Sequence, residues 1–331
     1  MGKARLSNIP DEVLAIAEDI REMRIRGAGR IARAAAKAMK IAAEKYSGVN
    51  VDDFLSFMEN VSKLLLSTRP TAVSLPNAVS YVMRRLKSAK ATSVDYLRKV
   101  VIEAADEFIQ MSNIAVETIG EIGSRLIEDG DVVLTHCHST AVVSVLKKAK
   151  DKGREFKVYA DETRPRFQGR ITYRDLSSYG IDVTLIPDSA VASVMRKVDK
   201  VFVGADAIAS NGAVVNKIGT SQVALVAYKY SVPFYVAAET YKFSPMTLIG
   251  ELIVIEERSP AEIVSREWLD KHPNIRVFNP VFDVTPPEYI TAIITEIGII
   301  PPHTASLILT EVFGAKSYGV EEKPVEESEQ V

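Results

Sequence analysis

From Ile9 to about Gly123, apolar residues recur at three- and four-residue intervals, the spacing that lays one apolar stripe along an α-helix. Five stretches carry it: DEVLAIAEDIREMRI, RIARAAAKAMKIAAEKY, VDDFLSFMENVSKLLLS, NAVSYVMRRLKSA and VDYLRKVVIEAADEFIQMSNIAVETIGEIGSRLI. After EDGDVV the period changes. Short β-rich runs (DVVLTHC, EFKVYADE, DVTLIPD, KVFVGADAI, PFYVAAET and IRVFNP) now alternate with amphipathic helical stretches, which predicts βαβ units. Right-handed crossovers between such units give a parallel, doubly wound sheet. The pattern therefore predicts an α/β protein: a helical N-terminal domain over residues 1–123, a Rossmann-like parallel-sheet domain over 124–318, and an acidic tail over 319–331 that reads as disordered.

Composition narrows the classes of function. Each domain is long enough to bury its own core. The chain has 41 basic and 43 acidic residues, so no strong net field draws it to nucleic acid or to a membrane. A single cysteine among 331 residues excludes an internal disulfide, and the apolar runs are too short to span a bilayer, so the expected compartment is the cytoplasm. The N-terminus, MGKARLSNIPDEVLAIAEDI, turns acidic and amphipathic where a signal peptide needs a continuous apolar stretch.

Sheets of this kind bind ligands beyond the carboxyl ends of their strands, which directs attention to the residues after each apolar run. The lone cysteine, Cys137, falls there, between His136 and His138. A zinc site needs further spaced partners, and His272 and His303 have none. A buried structural cysteine is the ordinary alternative. A reactive thiol is the other, because Ser139 and Thr140 are suited to cap a following helix whose N-terminus favours a thiolate. Asp206, in KVFVGADAIASNGAVVNKIGT, has small and apolar neighbours. That setting raises a carboxyl pKa and suits a general acid, while a turn or helix-cap aspartate fits the position as well. Further on, Asn216 and Lys217 offer an amide and an ammonium beside Gly219 and Thr220, a combination suited to a phosphate or a sugar hydroxyl.

Two arginine-bearing connections lie in the helical half. RGAGRIA superficially matches a dinucleotide fingerprint, yet it follows a helix and lacks the acidic residue at the end of a second strand, so a nicotinamide cofactor is disfavoured. Arg26, Gly27, Ala28 and Gly29 still present charge and backbone N–H groups at a helix start, or else form a tight interhelical turn. Arg69 in STRPTAV equally fits a structural ion pair, and Lys242 a solvated surface position.

Taken together, RGAGRIARAAAKA, STRPTAVSLPNAV, ETRPRFQGR, LIPDSAVASVM, VFVGADAIASNGAVVNKIGT and VFDVTPPEYITAIITE resemble, in order and spacing, the superfamily that joins the initiation factor 2B alpha, beta and delta subunits with sugar-phosphate aldose–ketose isomerases. The resemblance runs from about Arg26 to Phe313 and is strongest to the archaeal branch acting on ribose 1,5-bisphosphate. It implies conversion to ribulose 1,5-bisphosphate in AMP salvage, with Cys137 and Asp206 as the catalytic pair. It implies substrate contacts at Arg26, Gly27, Ala28, Gly29, Arg69, Ser139, Thr140, Ala141, Asn216, Lys217 and Lys242. Gln168 matches a substrate-contacting glutamine of the methylthioribose-phosphate isomerases, whose first loop is of an RGAP type where this chain has RGAG. The resemblance further implies no metal and no cofactor, activation by AMP, and homodimers assembled into a hexamer. Two alternatives remain: a non-catalytic regulatory subunit like those of initiation factor 2B, and a methylthioribose-1-phosphate isomerase.

Overall fold

The computed structural model describes residues 8–90 and 93–313; the tail expected over residues 319–331 lies outside the described residues. Five helices come first: α1 (Asp11–Arg21), α2 (Ala28–Lys45), α3 (Val51–Thr68), α4 (Ser74–Ser88) and α5 (Val94–Gly123). Asn50 and Ser93 cap α3 and α5 by accepting the backbone N–H of Asp53 at 3.0 Å and of Tyr96 at 3.2 Å, which satisfies donors that a helix start leaves unpaired. Helix α2 is rich in alanine, a strong helix former. Its buried Ala32, Ala35, Ala36 and Ala42 let α4 and α5 pack closely around it, over a core that includes Phe54, Met39, Met58, Leu65 and Leu97.

The second half runs β1 (Val132–His136), α6 (Thr140–Asp151), β2 (Lys157–Asp161), α7 (Gly169–Ser177), β3 (Asp182–Ile186), α8 (Val191–Val194), β4 (Lys200–Gly204), β5 (Ala207–Ile208), β6 (Val214–Lys217), α9 (Thr220–Lys229), β7 (Phe234–Ala237), α10 (Arg266–Lys271), β8 (Phe282–Thr285), β9 (Ala292–Thr295), β10 (Gly298–Ile300) and α11 (Ala305–Phe313). Seven strands form one sheet in the order β10-β9-β7-β4-β1-β2-β3. Every pair is parallel except β9 with the edge strand β10. Alternate residues of β1 and β4 feed opposite faces: Leu134, Val201 and Val203 enter one core, while Val133 and Phe202 enter the other with Ile119 of α5 and Val145 of α6. The expected α/β architecture with a helical N-terminal region is the one observed. Helix α5 belongs to both halves, since its far end packs on α6.

The chain moves outward from β1 to β2 and β3, then returns to lay β4 on the other side of β1. The direction of winding thus reverses between β1 and β4, and this crevice is where ligands of such sheets bind. Sequence reading missed a second sheet, antiparallel, in the order β5-β6-β8, which holds the segment after β4 over the crevice. The strand expected in IRVFNP does not form. Only an isolated bridge joins Glu257 to Pro280, because proline has no N–H with which to extend a ladder, and Phe278 is left 75% exposed.

Candidate active site

One cleft of about 580 Å³ opens at the switch point, a size ordinary for a small-molecule site. Its lining includes Cys137, Ser139, Thr140, Gln168, Asp206, Asn216, Lys217 and Lys242 from the sheet domain, and Arg26, Gly27, Ala28, Gly29 and Arg69 from the helical half. Residues that sequence reading took from six separate segments therefore meet in one space. Ala141 is the exception: it lies in the first turn of α6 with its side chain wholly buried in the core. Only its backbone remains as a contact.

Cys137 follows the last residue of β1 and adopts φ +68°, a left-handed conformation uncommon for a side-chain-bearing residue. This break in the extended backbone ends the alternation that would set His136 and His138 on a shared face. The backbone N–H of Cys137 donates to Thr163 Oγ1 at 2.9 Å, and its carbonyl accepts from Thr172 Oγ1 at 2.8 Å. Cys137 is partly exposed and lines the cleft. Burial pushes its thiol up to about 12, against a downward pull from Lys217 and from the backbone N–H of His138. The expectation of a thiolate at a helix start thus meets an opposing effect. Ser139 caps α6, and the burial of Cys137 acts against the thiolate that such a helix start favours.

Asp206 lies between β4 and β5, on the far side of the same crevice. Burial raises its carboxyl pKa; Lys217 is the largest opposing influence, followed by Lys242, Arg69 and Arg258. This is the environment expected of a carboxyl held ready to donate a proton. Lys217 donates to the Val281 carbonyl at 3.1 Å, lies 4.8 Å from the centre of the Phe282 ring, and has its own pKa lowered by burial. Asn216 binds Thr220 Oγ1 at 3.0 Å through its amide nitrogen. Gln168 carries a buried side-chain oxygen without a hydrogen-bond partner among the described residues, an acceptor suited to a hydroxyl donor.

The basic groups are built in. Lys242 is not a solvated lysine: it is 2.6 Å from Glu239, and both side chains are buried. Tyr241 Oη donates to Glu239 at 2.9 Å and lies 3.0 Å from Ser112 Oγ of α5, while Asn77 of α4 donates to the carbonyls of Tyr241 and Phe243. The helical half thus fixes the loop after β7. On the opposite side Arg69 pairs with Glu256 at 2.8 Å, and the other oxygen of that carboxylate accepts from Arg258 Nε at 2.8 Å. Gly27, at φ +88°, starts α2 in a conformation that favours glycine, so RGAG is a true helix N-terminus lining the cleft.

Sequence reading missed Arg258 and His138, both of which line the cleft. Arg258 stands in EERSP, a charged run that reads as a solvated surface. Only the fold shows its side chain to be one-tenth exposed. The Thr172 hydroxyl already gives its proton to the Cys137 carbonyl, so His138 Nδ1, at 3.1 Å, is the donor to Thr172 Oγ1. His138 Nε2 lies 3.9 Å from Asp175 Oδ2, and burial lowers the pKa of His138 against the pull of that carboxylate.

A doubly wound sheet with a cysteine and an aspartate across its switch point, and arginine loops from a helical domain beside them, defines an α/β protein with a cleft at the switch point. The chain belongs to the Initiation factor 2 subunit family, which it matches over residues 24–302. It is 54% identical to the ribose 1,5-bisphosphate isomerase of Thermococcus kodakarensis over 306 residues, covering 92% of this chain and 95% of that protein. Identity to the protein of that name from Pyrococcus furiosus is also 54% over 306 residues, covering 92% and 94%. Among solved structures, the Pyrococcus horikoshii translation initiation factor eIF-2B superposes with a TM-score of 0.76 at 33% identity, covering 88% of this chain and 98% of that one.

Proposed function

We propose that this chain is an isomerase converting ribose 1,5-bisphosphate to ribulose 1,5-bisphosphate. The observation that carries the reading is the joint presence of Cys137 and Asp206 in one basic cleft, together with the similarity to proteins bearing that name. An aldose phosphorylated at its anomeric carbon cannot open by losing a hemiacetal proton, so the ring C–O bond must break with an acid's help. Neutral Asp206 gives its proton to the ring oxygen as Cys137, having lost its own proton, removes the one on C2. The bond from C1 to the ring oxygen breaks and an enol phosphate forms. Cys137 returns a proton to C1, Asp206 recovers one from the C2 hydroxyl, and the ketose results with both groups reset.

Burial keeps the Asp206 carboxyl neutral, and substrate filling the cleft shields the enol phosphate from water. The thiol must give up its proton to solvent as substrate binds, before the cycle begins, and Lys217, the largest downward influence on it, is the charge that favours the anion. Two phosphates call for two anion sites. Basic groups enter from both halves: Arg26 and Arg69 from the helical side, Lys217 and Lys242 from the sheet side. Gln168 and Asn216 supply amides to the sugar between them.

The same reading includes a homo-oligomer, a trimer of dimers, working in the cytoplasm on a nucleotide-salvage route and activated by AMP. No helix among the described residues is long and apolar enough to cross a membrane. Exposed Leu225, Tyr228, Ile249, Leu252 and Val254 supply apolar surface for subunit contacts. The deciding experiment offers purified protein ribose 1,5-bisphosphate and 5-methylthioribose 1-phosphate side by side and detects ketose by carbon NMR. Turnover of the bisphosphate is expected. Preference for the methylthio sugar selects the alternative isomerase, and no ketose from either selects a regulatory subunit.

A further inference from the structure

Behind the cleft lies a buried polar chain hydrogen-bonded to the backbone of Cys137 and to the Ile218 carbonyl in the Lys217–Gly219 turn. At the adjacent ends of β1 and β2, His136 Nδ1 lies 2.6 Å from Asp161 Oδ2, and neither side chain is more than 2% exposed. His136 Nε2 lies 3.0 Å from the Ile218 carbonyl, which accepts only, so that nitrogen carries a proton. The other Asp161 oxygen accepts from the Thr163 hydroxyl at 2.8 Å. That hydroxyl's lone pair in turn takes the backbone N–H of Cys137 at 2.9 Å. Thr163 is itself left-handed, at φ +57°, and its N–H is pinned by Asp188 Oδ1 at 2.6 Å.

We propose that His136, Asp161 and Thr163 are positioning residues that hold Cys137 in its left-handed conformation, so that its sulfur faces the cleft, and tie that conformation to the turn carrying Lys217. The inference deepens the isomerase reading and rests on it for its catalytic meaning only.

Three features favour this over a pair that merely joins two strands. The ladder between β1 and β2 already fixes Thr135 beside Ala160, so strand pairing needs no buried ion pair. The chain of bonds ends on the backbone N–H of Cys137, the residue at which the chain leaving β1 departs from extended geometry. The Gly219 turn is fitted to the imidazole as well, since a Cβ there would sit 2.9 Å from His136 Cε1. A left-handed, side-chain-bearing residue is strained and persists only where its surroundings over-determine it. Displacement of a reacting atom by about 1 Å costs on the order of 100-fold in rate.

The sole cysteine makes the test direct, because thiol alkylation of the folded chain reads Cys137 and nothing else. The ratio of its rates with iodoacetate and iodoacetamide reports whether the sulfur faces the basic cleft, since only the former reagent is anionic. Thr163→Val and Asp161→Asn are expected to lower this ratio several-fold toward that of a free cysteine. They should also lower kcat on the order of 100-fold with KM within about threefold. Thr163→Ser, which keeps the hydroxyl, should retain both the ratio and kcat within about threefold. An unchanged ratio in folded Thr163→Val overturns the proposal, including where the variant only melts earlier. That variant keeps the His136–Asp161 pair and so carries the test should Asp161→Asn fail to fold. If the wild-type protein turns over no sugar, the isomerase reading fails while the alkylation ratio still decides the positioning role.

Discussion

Cys137 and Asp206 are both pushed toward their neutral forms by burial, with opposite consequences for chemistry: neutrality readies the acid and restrains the base. For the ligand-free protein, alkylation of Cys137 by iodoacetamide should therefore keep rising with pH through pH 10, in line with a thiol near 12. A plateau near pH 8.5 would contradict this placement. For Asp206 the folded-state pKa lies above the unfolded value, so its contribution to stability is fullest at low pH and is lost as pH rises through the folded pKa. Asp206→Asn removes that loss. The variant should melt a few degrees higher than wild type at pH 8, by about 2–4 °C for each kcal/mol recovered, with little gain at pH 4 and with turnover abolished. Equal melting temperatures at pH 8 would show that Lys217 and Lys242 already compensate the carboxylate. Position after a strand was enough to single out these two residues in the sequence. Their protonation was not legible there, because it depends on how much protein encloses each group.

Among the elements, the helices and strands β1, β2, β3, β4 and β7 were readable from periodicity, while β9, β10 and the loops between elements were not. Arg69 and Arg258 show why: they belong to segments far apart in sequence and meet only because both reach Glu256. Its carboxylate neutralises one of the two charges that an incoming phosphate would use. Glu256→Gln should lower KM for the bisphosphate, by about three- to tenfold if one such charge-assisted bond is released, and a raised KM would instead make Glu256 a support for the arginines. Helices α5 and α6 make the complementary point in the core. A Cβ on Gly123 would lie 2.5 Å from Val145 Cγ2, so Gly123→Val should destabilise the protein by about 1–3 kcal/mol through overpacking, read as an earlier denaturant midpoint. Within a long amphipathic stretch, nothing marks such a glycine as a contact.

For the whole molecule, the change of period near EDGDVV made the two-part architecture legible, and the reversal of winding between β1 and β4 explains why chemistry gathers where it does. The small sheet β5-β6-β8 was hidden because its strands are two to four residues long, too short for alternation to stand out. That sheet nevertheless places Asp206, Asn216 and Lys217 over the crevice, opposite loops supplied by the helical half. The central claim is that Cys137 and Asp206 act as one unit on a sugar held between those halves. Its most direct test is the turnover of ribose 1,5-bisphosphate by Cys137→Ser, Asp206→Asn and the double variant, with binding followed by calorimetry. Each single variant should lose at least about a thousandfold in kcat while binding within a few-fold of wild type, and the double variant should be little worse than the poorer single one, because partners in one proton relay are not additive. Near-normal turnover in either single variant, or losses that simply multiply in the double, would contradict the account.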